Sequence, residues 1–104
     1  LINCVAPGGI VSTGFHNYTP EQLDYFWRQI PLKRFGRSED VAHAVAYLLS
    51  PAGNYITGES IRVDGAGSLW GANHPIPDPE KSPEFDIPPL PEQRWPEFVI
   101  KEDE

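Results

Sequence analysis

Residues 1–14, LINCVAPGGIVSTG, raise the strongest expectation in the chain. The first six are apolar apart from Asn3, and the β-branched Ile2 and Val5 favour extended backbone. A continuous apolar run without alternation predicts a strand covered on both faces, as in a parallel sheet. The run breaks at Pro7-Gly8-Gly9 and passes through Ile10 into Ser12 and Thr13. Glycine lets backbone approach a ligand closely, and proline fixes the local turn. Open parallel α/β sheets bind ligands beyond the carboxyl ends of their strands. A strand leaving through small, hydroxyl-bearing residues is therefore a candidate binding loop. Asn3 needs hydrogen-bond partners if buried and is expected to brace neighbouring backbone. Cys4 reads as a small buried hydrophobe rather than a nucleophile.

A helix is predicted after residue 18. Thr19-Pro20-Glu21-Gln22 combines an N-cap hydroxyl, proline at the first helical position and a glutamine that completes a capping box. Leu23, Phe26, Trp27 and Ile30 then recur at helical spacing, and Pro31 stops the helix. This aromatic stripe, preceded by Phe15, reads either as plain core or as the underside of a lid over an apolar substrate. Residues 31–36, PLKRFG, form a basic connection. Ser38 is the expected N-cap of a second helix, with Glu39 and Asp40 in its first turn as capping charges. Its inward stripe is Val41, Ala44, Val45, Leu48 and Leu49, with His43 on the solvent side. Residues 60–63, SIRV, alternate as a short strand that ends at Asp64-Gly65. Strand, helix, helix, strand is the order of one crossover unit of a parallel sheet.

The formal charge of −7 over 104 residues is unevenly spread. Residues 1–69 hold five Lys/Arg and six Asp/Glu; residues 70–104 hold three and nine. That acidic excess argues against nucleic acid and anionic membrane surfaces as partners. Eight of the 12 prolines fall between Pro75 and Pro96. Residues 1–69 are thus expected to form the folded part and 70–104 an extended tail. Trp70, Phe85, Trp95 and Phe98 are expected to pin that tail to a surface of a neighbouring subunit. No apolar run approaches the ~20 residues of a membrane span, and one cysteine cannot make an internal disulfide, so a cytoplasmic protein is expected. The chain opens on Leu1 without Met, which reads as the C-terminal piece of a longer protein.

Several chemistries find no support. A G-x-S-x-G nucleophile turn is missing. His16, His43 and His74 are too scattered for a metal site, so none is expected. Gly65-Ala66-Gly67 is followed by prolines, not by the helix a dinucleotide fingerprint requires.

Three stretches in order, LINCVAPGGIVST, PLKRFGRSEDVAHAVAYLLSP and ITGESIRVDGAGSL, resemble the last third of the short-chain dehydrogenase/reductase family. Within it the segment looks similar to the enoyl-CoA and dienoyl-CoA reductase branch, and equally to citronellol-type dehydrogenases. The resemblance implies an α/β fold: the C-terminal part of a Rossmann-type doubly wound parallel sheet, with a Pro-rich extended tail. It implies an oxidoreductase using NAD or NADP to move hydride to or from a carbonyl, alcohol or enoyl group of a small, apolar or acyl-CoA-like substrate. It also implies that Pro7, Gly8, Gly9 and Ile10 hold the nicotinamide carboxamide through backbone groups. Ser12 stands in the family's Thr position, with Thr13 one step on, so either hydroxyl is a candidate for the carboxamide or a phosphate. Phe15, Leu23, Phe26 and Trp27 would line the substrate lid, residues 18–30. A homo-oligomer, dimer or tetramer, is expected through helix 38–50 and strand 60–63.

The family's catalytic Tyr-x-x-x-Lys has no counterpart here. Tyr18, Tyr25, Tyr47 and Tyr55 are followed four residues later by Gln, Gln, Pro and Glu. The resemblance places that pair upstream, so these 104 residues alone are expected to be inactive. Asp64-Gly65-Ala66 also replaces the commoner Asp-Gly-Gly. The rival expectation is a non-catalytic interaction or lipid-binding module that works through the aromatic helix and the tail.

Overall fold

The computed structural model of the protein describes residues 1–69 and 75–91. Strand β1 (Cys4–Pro7) leads through a 3-10 turn (Thr13–Asn17) into helix α1 (Pro20–Gln29). Helix α2 (Ser38–Leu49), a 3-10 turn (Pro51–Gly53) and strand β2 (Ser60–Val63) follow. The strands pair in parallel, Cys4 opposite Ser60 through to Pro7 opposite Val63. This is the α/β crossover unit that the order of elements implies.

Asn3 fastens the entrance to this ladder. Its side-chain amide donates to the Ile56 carbonyl at 3.0 Å, and its oxygen accepts the Glu59 N–H at 3.0 Å. The expectation that Asn3 braces backbone therefore holds, at both ends of one side chain. The regular strand, however, starts at Cys4 and not at residue 1. Leu1 and Ile2 are exposed, and Ile2 is tied to the 57–58 turn instead.

Cys4 is exposed, contrary to the expectation of a buried position. Side chains alternate across a strand. Asn3 and Val5 share a hollow with Val45, Leu48 and Leu49, so Cys4 faces away from α2, where no described element covers it.

Helix α1 begins as expected. Thr19 Oγ1 accepts the Gln22 N–H at 3.2 Å, and Gln22 Oε1 accepts the Thr19 N–H at 2.9 Å. Its stripe divides: Leu23 and Trp27 are buried, Ile30 is half-buried, and Phe26 is exposed. Leu23 and Trp27 form the core with Phe35, against which Val11, Phe15, Ile30, Phe85 and Ile87 pack. The buried indole of Trp27 donates to Asp24 at 2.9 Å, so its polar atom has a partner.

Helix α2 departs from expectation in its N-cap and in its buried stripe. Ser38 is its first helical residue, and Arg37 occupies the cap. A serine cap is unnecessary because Asp40 reaches back and accepts the Arg37 N–H at 2.8 Å. Of the expected inward stripe, only Leu48 is buried; Leu49 is 83% exposed, because nothing among the described residues lies over that side.

Residues 75–91 contain no helix or strand. Phe85 docks on this chain's own core rather than on a neighbouring surface. Trp70, Trp95 and Phe98, expected as further anchors, lie outside the described residues, as does His74.

Candidate functional site

Parallel pairing brings the carboxyl ends of β1 and β2 side by side. Gly8 follows β1 and donates its N–H to the Val63 carbonyl at 3.0 Å. A Cβ on Gly8 would stand 2.6 Å from Asp64 Cβ, so only glycine lets the two strand ends come this close. Beyond them lies a hollow of about 430 Å³, lined among others by Pro7, Gly8, Gly9, Ile30, Arg62 and Asp64.

The backbone of the next residues is held from one side. Gly36 donates to the Gly9 carbonyl and accepts from the Val11 N–H, both at 2.9 Å. In a parallel bridge, a residue bonded to both neighbours of a position leaves that position's own groups facing the opposite way. The Ile10 N–H and C=O therefore turn away from Gly36, and they have no protein partner among the described residues. A donor and an acceptor on one residue, presented at strand ends, complement a carboxamide, which has both kinds of group. By this test the loop fits the nicotinamide end of a dinucleotide. Gly9 contributes differently: its missing Cβ leaves room for the Phe35 ring, 3.2 Å from where that atom would be.

Ser12 is exposed, and its hydroxyl caps nothing in the following turn. Thr13 is half-buried at the start of that turn. Phe15 meets Phe35 edge to face at 4.7 Å and so joins the cluster of Leu23 and Trp27. Three of the four candidate lid residues thus come together beneath α1. Phe26 does not; it packs against Tyr18 and Tyr25 on the other side, at 5.2 and 6.1 Å.

Asp64 faces the hollow but is engaged in holding its own turn. Its carboxylate accepts from the Ser68 hydroxyl at 2.6 Å and from the Ser68 and Ala66 N–H groups at 3.2 and 3.0 Å. Those bonds, the Ser68 hydroxyl foremost, hold its acid below the ordinary carboxylate range. Gly65 and Ala66 both have positive φ, 60° and 68°. Among the described residues, no three His, Cys, Asp or Glu side chains are arranged to hold a metal ion.

Two participants escape sequence reasoning. Gly36 appears only as the end of a basic connection, yet a Cβ there would strike Ile10 Cδ1 at 2.6 Å. Its signal is a glycine directly after the core aromatic Phe35. The bonding of Asp64 is signalled by a serine four residues beyond an Asp-Gly turn.

Residues 2–67, more than half of the chain, match the family model described as Enoyl-(Acyl carrier protein) reductase. Over 64 residues the chain is 47% identical to the 3-oxoacyl-(acyl-carrier-protein) reductase FabG of Staphylococcus epidermidis, covering 62% of this chain and 26% of that protein. It is 45% identical over 64 residues to the FabG of Rickettsia conorii, covering 62% of this chain and 27% of that protein. Among solved structures, a short-chain dehydrogenase/reductase from Brucella melitensis matches with a TM-score of 0.57 and 38% identity, covering 62% of this chain and 26% of that one. YwfH, an NADPH dependent reductase involved in bacilysin biosynthesis, matches with a TM-score of 0.58 and 32% identity, covering 64% and 29%. The chain spans about a quarter of the length of the curated relatives it matches. Sequence, parallel sheet and strand-end loop agree, and the chain belongs to the short-chain dehydrogenase/reductase family, a family of oxidoreductases.

Proposed function

We propose that the full-length protein is an NAD- or NADP-dependent oxidoreductase acting on a carbonyl, alcohol or enoyl group of an apolar or acyl-carrier substrate. In this reading residues 7–13 hold the nicotinamide. The observation that carries it is the unpartnered N–H and C=O of Ile10 at the strand ends. When bound, the nicotinamide would supply the hydride to a carbonyl or enoyl group, or accept it from an alcohol. The chain's own work is positional: Ile10 orients the carboxamide, Ser12 or Thr13 offers a hydroxyl to it or to a phosphate, and α1 with Phe15 excludes water as a lid. No tyrosine here is followed by lysine four residues on, so the proton donor is sought elsewhere in the protein. Two curated relatives named as 3-oxoacyl-(acyl-carrier-protein) reductases favour an acyl-chain ketone. The exposed side of α2 and the edge of β2 that is unpaired among the described residues are proposed to make a homo-oligomer.

The competing reading, a lipid-binding or interaction module, needs an exposed aromatic surface on α1. Leu23 and Trp27 are instead buried against Phe35, which leaves Tyr25 and Phe26 as the exposed aromatics of the helix.

Ile10→Pro tests the proposal, because it deletes an N–H that bonds nothing among the described residues. Titrating the full-length variant with NADH, NADPH and ADP-ribose should show nicotinamide nucleotides weakened roughly fivefold to tenfold, as one hydrogen bond is worth. ADP-ribose, which lacks the nicotinamide, should bind unchanged. Equal loss for all three, or no loss, would overturn the assignment.

A further inference from the structure

The family match ends at residue 67, yet residues 75–91 rest on the same core that supports the candidate loop. Three kinds of contact hold them. Phe85 stands edge-on to Phe35 at 5.0 Å and to Phe15 at 6.3 Å, and Ile87 packs on the same cluster. Asp78 pairs with Lys33 Nζ at 2.9 Å and approaches Arg28 Nε at 3.7 Å, at the C-terminal end of α1. At the opposite end, His16 Nε2 donates to the Pro88 carbonyl at 2.7 Å; a carbonyl only accepts, so this nitrogen carries the hydrogen.

The anchors are spread so that the segment touches both α1 and the turn before it. Asp78 holds the last turn of the helix, Phe85 and Ile87 cover Leu23 and Trp27, and Pro88 holds the turn Thr13–Asn17. Prolines at 77, 79, 83, 88, 89 and 91 keep the segment extended. A stiff chain has little conformational freedom to lose on docking, so a few contacts suffice to keep it in place.

We propose that residues 75–91 are a strap that binds α1 and the Thr13–Asn17 turn into one unit, with Phe85 as the positioning residue. Through Phe15, two positions after Thr13, the strap fixes where the loop hydroxyls stand. It also sets how far α1 can swing from the core. The strap rests on contacts alone and stands whether or not the loop holds a nicotinamide.

Hydrogen exchange on the full-length protein tests this with Phe85→Ala, Phe85→Leu and Asp78→Asn. Phe85→Ala should raise exchange roughly tenfold in residues 13–29 while α2, β1 and β2 change less than about twofold, the pattern of a local opening. Phe85→Leu should restore most of the protection. Asp78→Asn, at a half-exposed site whose loss leaves the core intact, should loosen only the last turn of α1. Should Phe85→Ala unfold the protein, the other two variants decide. Even loosening of all elements by Phe85→Leu, or unchanged protection of residues 13–29 in every variant, would overturn the strap.

Discussion

Asn3 does with one amide what a longer strand would do with its ladder. It closes both a donor and an acceptor across the sheet entrance. Asn3→Ala removes both bonds, one part-buried and one exposed, and should lower stability by about 1 kcal/mol in a denaturant titration. Asn3→Asp keeps the acceptor but sets a carboxylate against the Ile56 carbonyl, so it should recover little of that loss. Ala66 presents the converse case. Its φ of 68° lies in the left-handed region, where a Cβ costs about 1–2 kcal/mol. Ala66→Gly removes that strain and gives back part of the gain as unfolded-state entropy, for a net stabilisation of about 1 kcal/mol by the same titration. The substitution also restores the Asp-Gly-Gly common at this turn. The departure was visible in the sequence, but its cost becomes clear only from the dihedral angle.

At the scale of elements, what local chemistry specifies was legible and what distant neighbours specify was not. Thr19, Pro20 and Gln22 announce the start of α1 because each acts within four residues. The start of α2 at residue 38 is legible, but its cap is not. The serine looked like the cap, whereas Asp40 reaches backward to Arg37. That bond, aided by the nearby charges of Arg34 and Arg37, holds the Asp40 acid below its ordinary value. A carboxyl whose folded value is depressed contributes stability above the unfolded value and loses it as pH falls through the folded one. Asp40→Asn should therefore flatten the drop in Tm below the ordinary carboxylate value, and leave the curve near neutrality parallel to wild type. The close backbone approach at Gly8 is legible, because glycines after an apolar strand signal one. Gly36, which turns the Ile10 groups outward, is not, because it lies on a connection with no pattern of its own.

At the scale of the whole molecule, the apolar surface on and around α2 is the largest matter left open by this chain. Leu1, Ile2, Val45 and Leu49 rim a hollow of about 610 Å³. A contiguous apolar patch of this kind marks a surface that another element or subunit covers. In the proposed oligomer, Leu49→Asp should lower the mass of the full-length protein in light scattering, and Tm should fall with the lost subunit contacts. A falling Tm at constant mass would assign the cover to the same chain. The covered-strand expectation for residues 1–6 failed for a related reason: apolar composition records that something covers a strand, not whether the cover lies within these residues. The pairing of β1 with β2 has a kinetic corollary. The bond from Glu59 to Asn3 joins positions 56 apart, and a parallel partner cannot be reached by a short hairpin. Chain-closure entropy must be met before the ladder returns anything, so this pairing should form late, after α1 and α2 have nucleated. A nascent chain would thus carry the edge of β1 that faces β2 unpaired until Ser60 clears the ribosome, an interval in which chaperones would find their target.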